Sequence, residues 1–160
     1  MMSIIIGCSN GADIDNESSK KVNDSEAKSQ IKKYKAMQYA VENPKNLPSE
    51  SDYEEKAKKY LSKELMEEHR KNRVFSIVPD TAKRTNYSMS LDKITFDKKT
   101  ENADGLVDYR YTMSILFSDE TTSKGVKKSG ELTIKKNEDG RLVITRDFER
   151  RDSKIDDEMF

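Results

Sequence analysis

One cysteine, Cys8, and one histidine, His69, are the scarcest reactive side chains in this chain of 160 residues. A single cysteine excludes an internal disulfide and a Cys-rich metal site, and a single histidine excludes any mechanism that needs two imidazoles. His69 lies near the end of a predicted helix, where the helix dipole favours a cationic side chain. We therefore expect His69 to face solvent or to cap that helix, and we predict no metal site and no cofactor.

Cys8 ends the tetrapeptide Ile5-Ile6-Gly7-Cys8, which has the pattern of a bacterial lipobox. In a lipobox, a small residue before the cysteine fits the signal peptidase, and the thiol accepts diacylglycerol. The apolar stretch before Gly7 has six residues, and no basic residue precedes it. A complete signal peptide has a positively charged N-terminal region followed by about 7–15 apolar residues. We interpret residues 1–8 as a truncated signal peptide, predict lipidation at Cys8, and expect the true start upstream. The alternative is a cytosolic protein with a free cysteine.

Two carboxylates, Asp108 and Asp147, lie in predicted strands rather than in loops. Strict strand alternation places both on the face opposite the large apolar residues, and therefore toward solvent. Cross-strand ion pairs with Arg110 or Arg146 would account for them. Catalysis needs a carboxylate inside a pocket, so we predict no catalytic residue and no enzymatic activity.

Several aromatic and Met side chains share one face of the predicted sheet. We expect this face to form core against the helices. The alternative is a small apolar cavity in which Tyr hydroxyls orient a ligand. The candidate ligand-binding residues of that alternative are Tyr87, Tyr109, Tyr111 and Met113.

Composition excludes several classes of protein. Acidic and basic residues balance at 30 each, which argues against a strongly basic nucleic-acid binder. The sequence has no G-x-G-x-x-G, P-loop, G-x-S-x-G or H-E-x-x-H motif. It also has no apolar run of about 18 residues that would span a membrane.

The apolar residues concentrate in one part of the chain, which predicts its organisation. Residues 9–26 are polar and read as a flexible tether, because they cannot bury enough surface to offset their ordering entropy. Residues 27–150 hold nearly all the large apolar side chains and form the predicted domain. Residues 151–160 are a charged tail.

Two helices are predicted before any strand. Residues 31–41 have apolar side chains at helical spacing. A capping box of Ser51 and Glu54 is predicted to begin a second helix that runs to about Lys71. Val78-Pro79-Asp80 marks the change from helical to strand periodicity.

Four strands follow. In residues 87–96, apolar and polar side chains alternate, and a change of phase near Asp92-Lys93 predicts a bulge there. In residues 107–117 the same alternation runs without interruption. Residues 126–134 and 142–148 complete a meander around a turn with Gly140 at positive φ. In the last strand, Leu142, Ile144 and Phe148 are predicted to face inward. We predict an α+β fold: two N-terminal helices packed on a curved antiparallel sheet of about four strands.

This order of elements resembles the cystatin-like α+β roll of nuclear transport factor 2 relatives. It is also similar to small lipoproteins of low-GC Gram-positive bacteria and to extracytoplasmic domains of conjugation and type IV secretion assembly proteins. The resemblance rests on the lipobox, the helical pattern at 53–65 and the strands at 87–96 and 107–117. The enzymes that share the roll use polar catalytic residues in its cone, whereas the inward positions here are Tyr, Met, Ile and Phe.

Two classes of function remain open from the sequence. The first is a non-enzymatic interaction module, lipid-anchored through Cys8 at the extracytoplasmic face of the cell membrane, with a protein partner in an envelope or conjugation-related complex. The second is a small-ligand-binding roll, or an enzyme, that uses the apolar cone. Nucleic acid is not an expected partner in either class.

Overall fold

The computed structural model of the protein describes residues 21–150. The predicted signal segment with Cys8, most of the predicted tether and the charged tail lie outside the described residues. Val22 is buried, and the first described helix begins at Asp24, ahead of residue 27 where the sequence analysis begins the domain.

The described residues form four helices and a four-stranded antiparallel sheet, which confirms the α+β class. The helices are α1 (Asp24–Gln38), α2 (Glu50–Ala57), α3 (Lys63–Lys71) and α4 (Val74–Thr85). The strands are β1 (Ser88–Glu101), β2 (Val107–Ser118), β3 (Ser123–Lys136) and β4 (Leu142–Glu149), and a short 3-10 turn (Ala103–Gly105) joins β1 to β2. No helix in this part of the chain is long and apolar enough to cross a lipid bilayer.

The prediction of two helices is wrong because the second one is broken. Ser49 forms the capping box with Asp52, two residues before the predicted box, and begins α2. Ser62 then caps α3, because its side chain accepts a hydrogen bond from the amide of Leu65. Between them Leu61 pairs with Ile144 of β4 as an isolated parallel bridge. The contact with β4 interrupts the helical hydrogen bonding that the local sequence favours.

Helix α4 continues through Pro79, where the sequence analysis ends the helical region. Phe75, Val78 and Ala82 are buried at helical spacing on its inner face. Burial of this apolar stripe outweighs the backbone hydrogen bond that proline cannot donate.

The sheet is an open meander in the order β1-β2-β3-β4. The alternation predicted for β2 is confirmed, since every second residue from Val107 to Phe117 is buried. The bulge predicted near Asp92-Lys93 is also confirmed by a register shift between Leu91 and Lys93. Gly140 has φ of +76° in the turn before β4, as predicted. The helices cover one face of the sheet and leave the other toward solvent.

Two further irregularities were not predicted: a register shift in β1 between Phe96 and Lys98, and a bulge in β4. Thr133 pairs with Arg146 and Ile134 pairs with Ile144, so Thr145 is the extra residue on β4. The bulge reverses the facing of every later residue in the strand. Asp147 therefore points inward, and Phe148 is 52% exposed. The predictions that Asp147 faces solvent and Phe148 faces the core are both wrong for this reason.

Asp108 does lie on the outer face, but it does not form the predicted ion pair with Arg110 or Arg146. It accepts hydrogen bonds from the hydroxyl of Thr133 and the amide of Asn102. Arg110 and Arg146 instead pair with Glu131.

Candidate functional site

A buried ion cluster lies between α1 and the end of β4. Its centre is Lys35, whose side chain is fully buried on the inner face of α1. The ammonium donates to both carboxylate oxygens of Asp147, at 2.9 and 2.8 Å, and to Glu149 at 2.7 Å. It also donates to Gln38 at 3.0 Å. One cation is thus held by two carboxylates, which the bulge at Thr145 turns inward.

Three tyrosine hydroxyls complete the hydrogen bonding of those carboxylates. Tyr34 and Tyr111 donate to Asp147 at 3.1 and 3.3 Å. Tyr39 donates to Glu149 at 2.5 Å. No buried side-chain polar atom in the described part of the chain lacks a hydrogen-bond partner. The cluster is therefore a closed network, as a stable buried ion pair requires.

His69 is buried in this network and does not face solvent, which corrects the prediction made from the helix dipole. Its Nε2 lies 3.3 Å from the hydroxyl of Tyr34, and its ring packs edge-on against Phe75. Because the Tyr34 hydroxyl donates to Asp147, Nε2 of His69 carries the proton that completes the contact. Burial lowers the pKa of His69, which favours the neutral imidazole.

The electrostatics of the cluster keep its groups in their ordinary charge states. Burial opposes the charged form of Lys35, but Asp147 and Glu149 outweigh it and hold the pKa of Lys35 above its usual value. Burial raises the pKa of Tyr34, Tyr39 and Tyr111, and the nearby carboxylates raise it further, so these hydroxyls stay protonated donors.

Gly130 is what allows Tyr111 to reach Asp147 across β3. The two residues are cross-strand partners, and a Cβ atom on Gly130 would lie 2.5 Å from the Tyr111 hydroxyl and 2.6 Å from the backbone oxygen of Phe148. Such distances require the ring or the β4 backbone to move.

Gly130→Ala is expected to lower the free energy of unfolding by about 1–3 kcal/mol, the usual cost of overpacking. Gly125→Ala is the matched control on the same strand. Its added Cβ would meet only the Ser114 side chain, at 3.3 Å, so the expected cost is below about 1 kcal/mol. Urea unfolding measures both, and equal costs for the two variants would contradict the role of Gly130.

Glu149 makes the stability of the domain sensitive to acid. Burial alone would raise its pKa, but Lys35 and Lys128 outweigh burial and lower the pKa from 4.5 to about 2. A carboxylate with a lowered folded-state pKa stabilises the fold above its unfolded pKa, and this contribution disappears as the pH falls toward the folded value. We therefore expect the free energy of unfolding to fall between pH about 4.5 and about 2.

Glu149→Gln removes this titration, so its stability should depend less steeply on pH over the same interval. Urea unfolding at several pH values measures the slope for each protein. A slope that is the same in both proteins would assign the acid sensitivity to other carboxylates.

A cavity of about 490 Å³ opens above the ion cluster. Polar side chains form its floor, and an apolar wall from α4 includes Ile77, which is 44% exposed. The floor residues are Gln38, Tyr39, His69, Lys128, Asp147 and Glu149. We take this cavity as the candidate site because its floor is the buried ion cluster. A wider depression of about 660 Å³, lined by loop residues such as Asn43 and Asp119, lies elsewhere.

The structure does not gather the four predicted ligand-binding residues around this cavity. Tyr111 lies beneath it through its bond to Asp147. Tyr109 is fully buried, donates to Asp24 at 2.8 Å and packs against Phe96. Met113 is core, and Tyr87 is half-buried against Phe117.

The residues that sequence reasoning missed are Lys35, Glu149 and Lys128. A signal for Lys35 existed, because it lies between Ile31 and Gln38 on the inner side of an amphipathic helix. No group of three or more His, Cys, Asp or Glu side chains within residues 21–150 is arranged to hold a metal ion.

Comparison with known proteins identifies the fold. No family model matches the chain, and no curated protein sequence matches it significantly. Solved structures do match, several of them over nearly their whole length. An IcmL-like type IV secretion system protein from Legionella pneumophila has a TM-score of 0.61 at 11% identity, with 83% of this chain and 96% of that chain covered.

Two further structures agree. The periplasmic domain of DotI has a TM-score of 0.58 at 13% identity, with 82% and 97% of the two chains covered. The putative transfer protein TraH from the Gram-positive conjugative plasmid pIP501 has a TM-score of 0.55 at 13% identity, with 84% and 98% covered. The predicted resemblance to extracytoplasmic domains of conjugation and type IV secretion proteins is confirmed at the level of the fold.

Proposed function

We propose that this protein is a membrane-anchored extracytoplasmic lipoprotein that acts as a non-enzymatic interaction module in an envelope or conjugation-related complex. The observation that carries the proposal is the shared fold, which spans nearly the whole of the DotI and TraH domains. DotI is described as periplasmic and TraH as a transfer protein. Fold likeness makes a similar role the first hypothesis, although function depends on the site.

The chemistry of the candidate site supports the non-enzymatic part. General bases work best with a pKa near the operating pH, and nucleophilic lysines need a lowered pKa. Here the pKa of Lys35 is raised and that of Glu149 is lowered. These groups fix α1 to β4 and are poorly suited to transfer protons.

Lipidation at Cys8 would place the domain outside the cell, joined to the anchor by the part of the predicted tether (residues 9–26) that precedes α1. Expressed with a complete signal sequence in a Gram-positive host and fed an alkyne analogue of palmitate, the protein should carry the label and fractionate with membranes. Cys8→Ser should lose the label and be released or remain unprocessed. Ser9→Ala, which keeps the thiol, is the control.

An unlabelled wild-type protein, or equal membrane retention of Cys8→Ser, would contradict the anchor. The interaction role is tested separately by cross-linking intact cells and separating the solubilised membranes on a native gel. We expect a complex much larger than the 18.4 kDa chain. Migration as the monomer would contradict an assembly role.

A second candidate, a small-ligand-binding roll, is favoured by one observation, the cavity of about 490 Å³ with an apolar wall and a polar floor. Of the four residues predicted from sequence, Tyr111 would contribute through Asp147. Native mass spectrometry of protein purified from its own host tests this candidate. A bound small molecule that Ile77→Asp removes would support it, and an unliganded protein would favour the interaction module.

A further inference from the structure

A second feature lies on the outer face of the sheet, and of its members only Arg150 also lines the cavity. We name it the arginine–phenylalanine patch, and its members are Arg110, Glu131, Arg146, Phe148 and Arg150. The register places Arg110 opposite Glu131 and Glu131 opposite Phe148, so these three form one row across β2, β3 and β4. Arg146 in β4 and Arg150, directly after the strand, flank Phe148.

The patch carries an excess of positive charge. Three guanidinium groups share the single carboxylate of Glu131, at 3.4 Å from Arg110, 3.4 Å from Arg150 and 3.8 Å from Arg146. These contacts are longer than the usual charge-assisted hydrogen bond of about 2.7–2.9 Å. The three Arg side chains are 49–56% exposed. They are loosely held, and among residues 21–150 the patch supplies one carboxylate for three positive charges.

The use of arginine here contrasts with the rest of the chain. The chain has eight Arg among its 30 basic residues, and three of the eight meet at this one carboxylate. Arginine differs from lysine in presenting a planar fork of donors that matches a carboxylate or a phosphate with two parallel bonds. The clustering of arginines favours specific, bidentate pairing with carboxylates over a non-specific electrostatic attraction of acidic molecules.

Phe148 supplies an apolar contact in the middle of these charges. It is 52% exposed because the bulge at Thr145 turns Asp147 inward and Phe148 outward. Aromatic residues and Arg are the types most enriched at protein interfaces and at their energetic centres.

The remainder of the outer face decides between a protein and a membrane as the partner. Toward β1, Asp97 accepts a hydrogen bond from Thr112, and Asp108 accepts one from Thr133. A flat anionic lipid surface that covered the face would meet these carboxylates as well as the arginines. A narrow segment along β4 would meet Arg146, Phe148 and Arg150, and Asp108, two strands away on β2, would lie only at its edge.

We propose that the arginine–phenylalanine patch docks an acidic segment of a partner protein. Carboxylates of that segment replace Glu131 as partners of the guanidinium groups, and an apolar side chain beside them covers Phe148. The proposal rests on the proposed role as an interaction module, and it requires neither the lipid anchor nor the cavity.

The test uses the full chain and a fluorescein-labelled peptide in which Glu alternates with Thr and which carries one Leu. Fluorescence anisotropy should show binding that weakens as salt is added, since exposed charges are screened. The same peptide with Gln for Glu should not bind. Combined Arg110→Gln, Arg146→Gln and Arg150→Gln should weaken binding by about tenfold or more.

Two further variants sharpen the test. Lys32→Gln, Lys63→Gln and Lys71→Gln together remove the same charge from exposed positions on α1 and α3 and should leave binding unchanged. Glu131→Gln removes the internal competitor and should strengthen binding, a direction that simple damage to the fold would not produce. Thermal melts confirm that each variant is folded.

Several outcomes would overturn the proposal. These are an equal effect of the Arg and Lys combinations, weaker binding by Glu131→Gln, or no binding of the acidic peptide. Patch-dependent binding to phosphatidylglycerol vesicles in place of the peptide would overturn it in favour of a membrane surface. If the acidic peptide does not bind but a large complex is still present on the native gel, the docking role of the patch is rejected and the interaction module stands.

Discussion

Lys35→Met is expected to lower the free energy of unfolding by about 3–5 kcal/mol, the usual cost of removing one partner of a buried ion pair. The substitution leaves Asp147 and Glu149 in the interior without the ammonium that lies 2.8 Å from Asp147 and 2.7 Å from Glu149. Because Glu149 still pairs with Lys128 at 3.0 Å, most of the lost charge compensation falls on Asp147. Urea unfolding at neutral pH measures the change.

Two comparisons separate this effect from a general intolerance of substitution in α1. Lys32→Met, on the exposed side of the same helix, should cost less than about 0.5 kcal/mol. Adding Asp147→Asn to Lys35→Met should restore part of the stability, because it removes the unpaired buried charge. A double variant no more stable than Lys35→Met would mean that the ion pair is not the source of the cost.

Ile115→Ala is expected to cost about 2–5 kcal/mol, the range for a large aliphatic side chain in a core. Ile115 is fully buried in β2 among the side chains that the helices cover. Arg110→Ala, on the outer face of the same strand, should cost well under about 1 kcal/mol. Chemical denaturation of the two variants makes the comparison.

This second prediction also bears on the alternative function. If the inner face of β2 lined an open ligand cone, Ile115 would tolerate truncation, and the two variants would unfold at similar denaturant concentrations. A small effect of Ile115→Ala would therefore favour the ligand-binding roll over the interaction module.

The sequence by itself determined the features that depend on near neighbours along the chain. Alternation of large apolar and polar residues from Val107 to Phe117 predicted β2 and its buried face, because side chains in a strand point to opposite sides in turn. The out-of-phase residues around Asp92 predicted the β1 bulge, and Gly140 predicted the last turn. The order of these elements was enough to indicate the α+β class and the likeness to extracytoplasmic domains of conjugation and type IV secretion proteins.

Tertiary structure decided the features that depend on distant residues. Lys35 can be buried only because Asp147 and Glu149, 112 and 114 residues away, neutralise its charge. They face inward only because the pairing of β4 with β3 leaves Thr145 unpaired. The break between α2 and α3 likewise accompanies the bridge from Leu61 to Ile144. Helical and strand periodicities describe one element at a time, whereas the candidate site and the arginine–phenylalanine patch both follow from how β4 pairs with the rest of the sheet.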